Sequence, residues 1–183
     1  QRAAADPVAL VELAETDHLF ARIPLHVAAR PGREDDALSM GLAYGEAGFI
    51  QYQLFVPNAD ARHTLRTVLS RCHARGIPPY LAVLKRHRPD AFLLSHALDG
   101  WSLAMDFPLR PAARGDLTSL TRELTAIVLD AGGRFYFAKD SVLQPEDMTR
   151  AFGEERLAAF AALKKRLDPD GVLTSELWKR VKG

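Results

Sequence analysis

Two runs of the chain alternate their side chains with the two-residue period of a half-buried strand, and their place among the helices constrains the fold more than any other feature. The first is FIQYQLFV, Phe49 to Val56, rich in aromatic and β-branched residues and closed by Pro57. The second is GWSLAMDFPL, Gly100 to Leu109. Between them Asn58 or Asp60 caps a helix that runs to about Arg75, with Gly76 as its C′ residue, and PYLAVLKRH supplies another strand. After them GDLTSLTRELTAIVLDAGG reads as a second helix closed by Gly132, and RFYFA, Arg134 to Ala138, as a fourth strand. Strand, helix, strand, strand, helix, strand is the split βαβ, ferredoxin-like order. It predicts an α+β fold: an antiparallel sheet with a βαββαβ core and both helices on one face.

Pro145 then starts a short helix at its N1 position, EERLAAFAALKKRL is an amphipathic helix, and DPDG turns the chain into a last helix around SELWKRV. Ahead of the sheet, residues 7–21 carry apolar side chains at near-helical spacing, and Ile23 to Ala29 fit a short strand before the breaker RPGREDD.

In this topology the first and third strands are central, so parity assigns side chains to faces. Ile50, Tyr52, Leu54 and Val56 fall on one face of the first strand, with Phe49, Gln51, Gln53 and Phe55 on the other. On the third strand Trp101, Leu103, Met105 and Phe107 oppose Ser102, Ala104 and Asp106. The apolar sets belong under the helices. The opposite face gathers Gln51, Gln53, Ser102 and Asp106, either as a solvated surface or as a half-buried site that orients a polar ligand by hydrogen bonds. That open face is the candidate site.

Composition narrows the partners. Lys plus Arg number 24 against 23 for Asp plus Glu, so no overall field selects nucleic acid or a membrane surface. No apolar run approaches the roughly 20 residues of a transmembrane segment. The single cysteine, Cys72, sits in a helical pattern and reads as a buried apolar filler. The six histidines show no metal-binding spacing, so no metal is expected. No GxSxG elbow, GxGxxG or Walker loop occurs, and the aromatic platforms of RNA-binding sheets are missing.

Five segments taken together carry a family resemblance: YGEAGFIQYQLFVP, YLAVLKR, GWSLAMDFPL, GGRFYFAKDS and RLDPDGVLTSELWKR. In this order they resemble the C-terminal part of FAD-linked oxidases of the vanillyl-alcohol-oxidase superfamily, most nearly the decaprenylphosphoryl-ribose 2-oxidase and aldonolactone oxidase branch. The resemblance covers about residues 40 to 183. It implies a substrate-binding domain closing over a flavin that an upstream FAD-binding domain holds. The glycine-rich FAD-pyrophosphate segment of the family has no counterpart in this sequence, which begins at Gln1 without a methionine, so the chain is expected to be a piece of a longer enzyme.

By the same resemblance, Lys139 lies by the isoalloxazine and substrate as the catalytic electrostatic group, and Tyr136 is its neighbour on the cofactor side. Gln51, Gln53, Lys85, Ser102 and Ala104 fall on the substrate side, the two glutamines and Ser102 also by parity, and Asp106 joins them by parity alone. Ala104 stands where the mycobacterial ribose oxidases carry a cysteine, and Ser102 where they carry an asparagine. The implied activity is oxidation of a sugar or sugar-lactone hydroxyl by hydride transfer to flavin N5. A polyprenyl-phosphate sugar is one form the substrate could take. Residues 1–138 are expected to form the substrate-binding cap and 139–183 a helical segment packing on the FAD domain. The expected location is cytoplasmic or peripheral at the membrane. A non-catalytic ferredoxin-like ligand-binding or interaction module is the alternative from a different class.

Overall fold

The computed structural model describes residues 48–109 and 114–182; the helix and strand expected within residues 7–29 lie outside them. The core elements are β1 (Phe49–Pro57), α1 (Ala61–Ala74), β2 (Leu81–His87), β3 (Gly100–Pro108), α2 (Arg114–Asp130) and β4 (Arg134–Phe135). They are followed by α3 (Pro145–Phe152), α4 (Glu154–Leu167) and α5 (Glu176–Val181). The sheet order is β2-β3-β1-β4, antiparallel at every pairing, which is the ferredoxin-like arrangement with β1 and β3 at the centre.

Register and parity agree along the whole central pair. Tyr52 pairs with Met105, Leu54 with Leu103 and Val56 with Trp101, while Gln51 pairs with Asp106. The apolar set packs under α1, which buries Leu65, Val68, Leu69 and Cys72, and under α2, which buries Leu117, Leu120, Leu124 and Val128. Each such side chain contributes about 1.5–3 kcal/mol on burial. Tyr52 is the polar exception, and its hydroxyl meets Thr125 Oγ1 at 3.1 Å. Burial pushes both the Tyr52 phenol and the Cys72 thiol up, the latter to about 12, so Cys72 is a core filler rather than a nucleophile.

Local details differ from the sequence expectation at two places. Asp60 occupies the N-cap position of α1 without a side-chain capping bond, while Asn58 Oδ1 accepts the Trp101 indole N–H at 3.0 Å. The fourth strand was expected over Arg134 to Ala138 and ends at Phe135. Tyr136 N–H still donates to Gln53 O at 3.1 Å, but Lys139 N–H then returns to Tyr136 O at 3.0 Å, making a 3₁₀ turn over Phe137–Lys139. The turn lets Phe137 stack on Phe152 of α3 with ring centroids 5.4 Å apart, a contact a continuing strand would forgo.

Gly133 is required by space. A Cβ there would lie 2.5 Å from the Phe55 carbonyl oxygen and from Val128 Cγ1, so α2 and β1 can approach only over a glycine.

Beyond the turn, Leu143, Met148 and Phe152 join the core under the sheet. The α3 N-terminus closes as a capping box between Gln144 and Asp147, and Arg122 of α2 reaches the buried Asp147 at 2.5 Å. By contrast α4 buries none of its residues fully, and Leu167, Val172 and Leu173 at its end are exposed. A groove of about 820 Å³ runs between α3, α4 and α5, lined mainly by apolar side chains such as Phe137, Met148, Leu157, Phe160 and Trp178. Among the described residues no helix is long and apolar enough to cross a membrane.

Candidate functional site

The open face is not a solvated surface. Ser102 is 0% and Asp106 4% exposed, and Phe55, on the same face, is 1% exposed. Much of the cover is the loop between β2 and β3. His96 from this loop packs on Phe55 with centroids 4.6 Å apart and on Tyr136 at 4.8 Å. Arg134, opposite Phe55 on β4, ties the loop down by donating to Ser95 O at 2.9 Å and Ala97 O at 3.3 Å. Asp90 closes the loop on itself, accepting from Phe92 N–H at 2.9 Å and Ser95 Oγ–H at 2.8 Å.

Within this cover the predicted residues come together. Gln51 Nε2 donates to Asp106 Oδ1 at 3.0 Å, and Gln53 Nε2 to Ser102 Oγ at 3.3 Å. Ala104 faces Gln53 across the central pair and Val83 on β2, so the smallest side chain of the group sits midway along the face. Lys85 is opposite Ser102 in register, on the outer strand, and exposed. Tyr136 stands at the β4 side through its contact with His96.

Lys139 lies beyond the fourth strand, as expected, but on a 3₁₀ turn because that strand ends early, at Phe135. It closes the 3₁₀ turn one hydrogen bond beyond Tyr136 and is half-buried, with no hydrogen-bond or ion-pair partner for its ammonium among the described residues. Asp140 beside it is a structural anchor. Its Oδ1 accepts the Val142 and Leu143 N–H groups at 3.0 Å each, and its Oδ2 takes Arg180 of α5 at 2.5 Å. The lysine is thereby set on a turn locked from the C-terminal helix.

Two functional candidates escaped the sequence reading. His87 ends β2 with its Nε2 2.8 Å from Ser102 Oγ and its ring 4.8 Å from Phe55, and His96 lies on the covering loop. The parity that places Lys85 on the open face places His87 there too, two residues on; only the face of β2 had to be read. Nothing local marks His96, because its role depends on where the loop folds. Burial, then the neighbouring His96, Lys85 and Arg86, hold the His87 ring below its ordinary pKa. Burial outweighs Asp90 in lowering that of His96. Both shifts favour the neutral ring. Among the described residues no group of three His, Cys, Asp or Glu side chains converges as a metal site would need.

Comparison with known proteins identifies this ferredoxin-like chain with the C-terminal part of FAD-linked oxidases. The chain is a member of the D-arabinono-1,4-lactone oxidase family, whose profile matches residues 85–181. It is 33% identical over 140 residues to the decaprenylphosphoryl-beta-D-ribose oxidase of Mycolicibacterium smegmatis, covering 76% of this chain and 29% of that protein. It is also 32% identical over 141 residues to an uncharacterized protein encoded in the mprA 5' region of Streptomyces coelicolor, covering 76% of this chain and 36% of that protein. The chain thus spans about a third of the length of the curated relatives it matches.

Proposed function

We propose that this chain is the substrate-binding portion of an FAD-dependent oxidoreductase that oxidises a hydroxyl of a sugar or sugar lactone. The observation that carries the reading is the polar pair of pairs, half-buried Gln51 with buried Asp106 and half-buried Gln53 with buried Ser102, at the centre of a partly covered sheet face. Half-buried amides beside a buried hydroxyl and carboxylate keep their polar groups satisfied by one another while part of each amide faces outward, and a polyhydroxylated ring matches such donors and acceptors. The names of the relatives point to the same substrate class: one is an oxidase of a lactone, the other of a polyprenyl-phosphate ribose. A polyprenyl-phosphate sugar is the form of substrate that would keep such an enzyme at a membrane surface, and a free lactone would leave it cytoplasmic.

The described residues fit one edge of FAD and not its phosphates. Gly132 and Gly133 close α2 instead of opening a helix, and Gly133 is filled against Phe55 and Val128, so no phosphate cradle exists at that glycine pair. Lys139 and Tyr136 are the residues that would face the flavin ring. FAD, when bound, supplies the hydride acceptor. Lys139 would hold a positive charge beside the flavin, Tyr136 and His96 would wall that side, and the glutamines with Lys85 would orient the sugar hydroxyls. The FAD itself is held by another domain of a longer polypeptide. In this division residues 1–138 supply the sheet of the cap over the substrate, and residues 139–183, which also pack Leu143, Met148 and Phe152 into its core, supply most of the groove between α3 and α5 that would meet the FAD domain. The exposed Leu167, Val172 and Leu173 support such a contact.

The test is anaerobic mixing of the full polypeptide, loaded with FAD, with D-arabinono-1,4-lactone and separately with a polyprenyl-phosphate ribose. Bleaching of the flavin absorbance by either supports the reading and selects the substrate branch. A protein that takes up FAD but is reduced by no sugar or lactone hydroxyl would return this chain to a non-catalytic binding module.

A further inference from the structure

Ser102 is a fully buried hydroxyl between two side chains, and its hydrogen bonds constrain both. Its oxygen lies 3.3 Å from Gln53 Nε2 and 2.8 Å from His87 Nε2. A serine hydroxyl has one proton to give and lone pairs with which to accept. A neutral His87 bearing its proton on Nδ1 accepts the Ser102 proton at Nε2. Ser102 must then accept from the Gln53 NH₂ group, which turns the Gln53 carbonyl oxygen away from Ser102 and toward the open face. A protonated His87 donates from Nε2 instead. The Ser102 proton then needs an acceptor, which the Gln53 carbonyl supplies if the amide turns over and shows its NH₂ to the open face.

We propose that His87 is a specificity-determining positioning residue. Through the Ser102 hydroxyl its ring sets which end of the Gln53 amide meets the ligand: a carbonyl oxygen while the ring is neutral, an N–H group once it is protonated. The neighbouring amide has no such freedom, because the Asp106 oxygen it binds accepts and holds the Gln51 NH₂ inward. In the neutral state the two glutamines therefore present two carbonyl oxygens side by side, a surface that selects ligands with adjacent O–H donors. The assignment of the ligand rests on the substrate-domain reading above; the Gln53–Ser102–His87 network does not.

The groups around His87 keep it in the neutral state at ordinary pH. Lys85 and Arg86 flank it on β2, His96 and Asp90 belong to the loop above, Phe55 stacks on it from β1, and Arg134 stands opposite Phe55 on β4. Arg86 is largely satisfied by Asp99 and Gly100 O, and Asp90 by Phe92 and Ser95 of its own loop.

The network is read directly by nuclear magnetic resonance of the full polypeptide labelled with heavy nitrogen in its histidine and glutamine side chains, with His87→Phe and Gln53→Glu serving to assign signals. The expected result is an Nδ1–H tautomer for His87 at neutral pH, and a Gln53 amide whose resonances shift with the same midpoint as the His87 ring. Ser102→Ala should abolish the shift of Gln53 while His87 still titrates. An Nε2–H tautomer at neutral pH, or a Gln53 amide indifferent to the His87 titration in the wild-type protein, overturns the proposal without recourse to any variant. A second arm measures binding of D-arabinono-1,4-lactone across pH. Affinity should fall about threefold to tenfold, the worth of one neutral hydrogen bond, as His87 gains its proton. In His87→Phe, which keeps the ring contact with Phe55, affinity should be weak at every pH. Lactone affinity in the wild type that does not change across the His87 midpoint overturns the proposal. Coupled titration without any lactone binding upholds the network and counts instead against the sugar-lactone reading.

Discussion

Replacing Asp140 by alanine tests whether the turn that carries Lys139 is built from the C-terminal helix. Three hydrogen bonds disappear: those from the Val142 and Leu143 N–H groups at 3.0 Å and that from Arg180 at 2.5 Å. Hydrogen bonds to a charged group contribute about 1.5–3 kcal/mol each when shielded. Asp140 has a side chain 4% exposed, but Arg180 is 28% exposed, so the ion pair is partly shielded and its share falls toward the lower end. Leu143 is buried and its N–H finds no ready substitute, whereas the Val142 N–H is nearer water. The sum is about 4 kcal/mol for Asp140→Ala. Arg180→Ala removes the pair and the bond from Arg180 Nε to Leu143 O at 2.9 Å but leaves Asp140 its two N–H donors, and should cost about 2 kcal/mol. The double variant should cost less than the two added together, since both remove the same ion pair. Urea unfolding followed by tryptophan fluorescence gives these numbers, with Trp178 on α5 reporting the helix that Arg180 carries. If Asp140→Ala stays within about 0.5 kcal/mol of the wild type, the cost of an ordinary surface substitution, the turn is not anchored in this way.

Four further outcomes are expected. Lys139→Ala in the full polypeptide should slow anaerobic flavin reduction by roughly a hundredfold without loss of stability, the scale of removing one positioned electrostatic stabiliser, as stopped-flow absorbance will show. Ala104→Leu should weaken sugar-lactone binding at least tenfold while thermal stability stays near wild type, because its side chain points away from the core and midway between Gln53 and Val83. Gly133→Ala should cost more than about 1–3 kcal/mol in urea unfolding, since its Cβ meets the Phe55 oxygen and Val128 Cγ1 at 2.5 Å with backbone on one side. His87 and His96 both have folded-state pKa values below the ordinary one, so the unfolded chain binds more protons between the two values. Their contribution is complete above the ordinary histidine pKa and is lost as pH falls below it, a dependence that urea midpoints across mildly acid pH will show and His96→Phe will reduce.

Much of this site was legible because the strand period is two and the core pair is long. Once Leu54 and Met105 are assigned inward, Gln51, Gln53, Ser102 and Asp106 must face outward, and the register then brings them into hydrogen-bonded pairs. The same counting carried along β2 would have found His87. What pattern could not supply was the cover. Whether an outward polar residue is wet depends on where the loop after β2 folds, and that is fixed by Arg134 and by His96 packing on Phe55 and Tyr136, contacts between residues about 40 apart in sequence. The short fourth strand had a similar cause. RFYFA has the composition of a strand throughout, but Phe137 gains a partner in Phe152 only by leaving the sheet, and tertiary packing overrides the local preference.

The same cover explains why the charges of the site sit where they do. Its centre holds a carboxylate, two amides and a hydroxyl that satisfy one another, while Lys85 lies on the outer strand and Lys139 on the turn beyond β4. An ammonium placed among the central residues would have to pair with Asp106 and take it from Gln51, freeing that amide to rotate. Held at the margins, the two cations leave the central hydrogen bonds undisturbed.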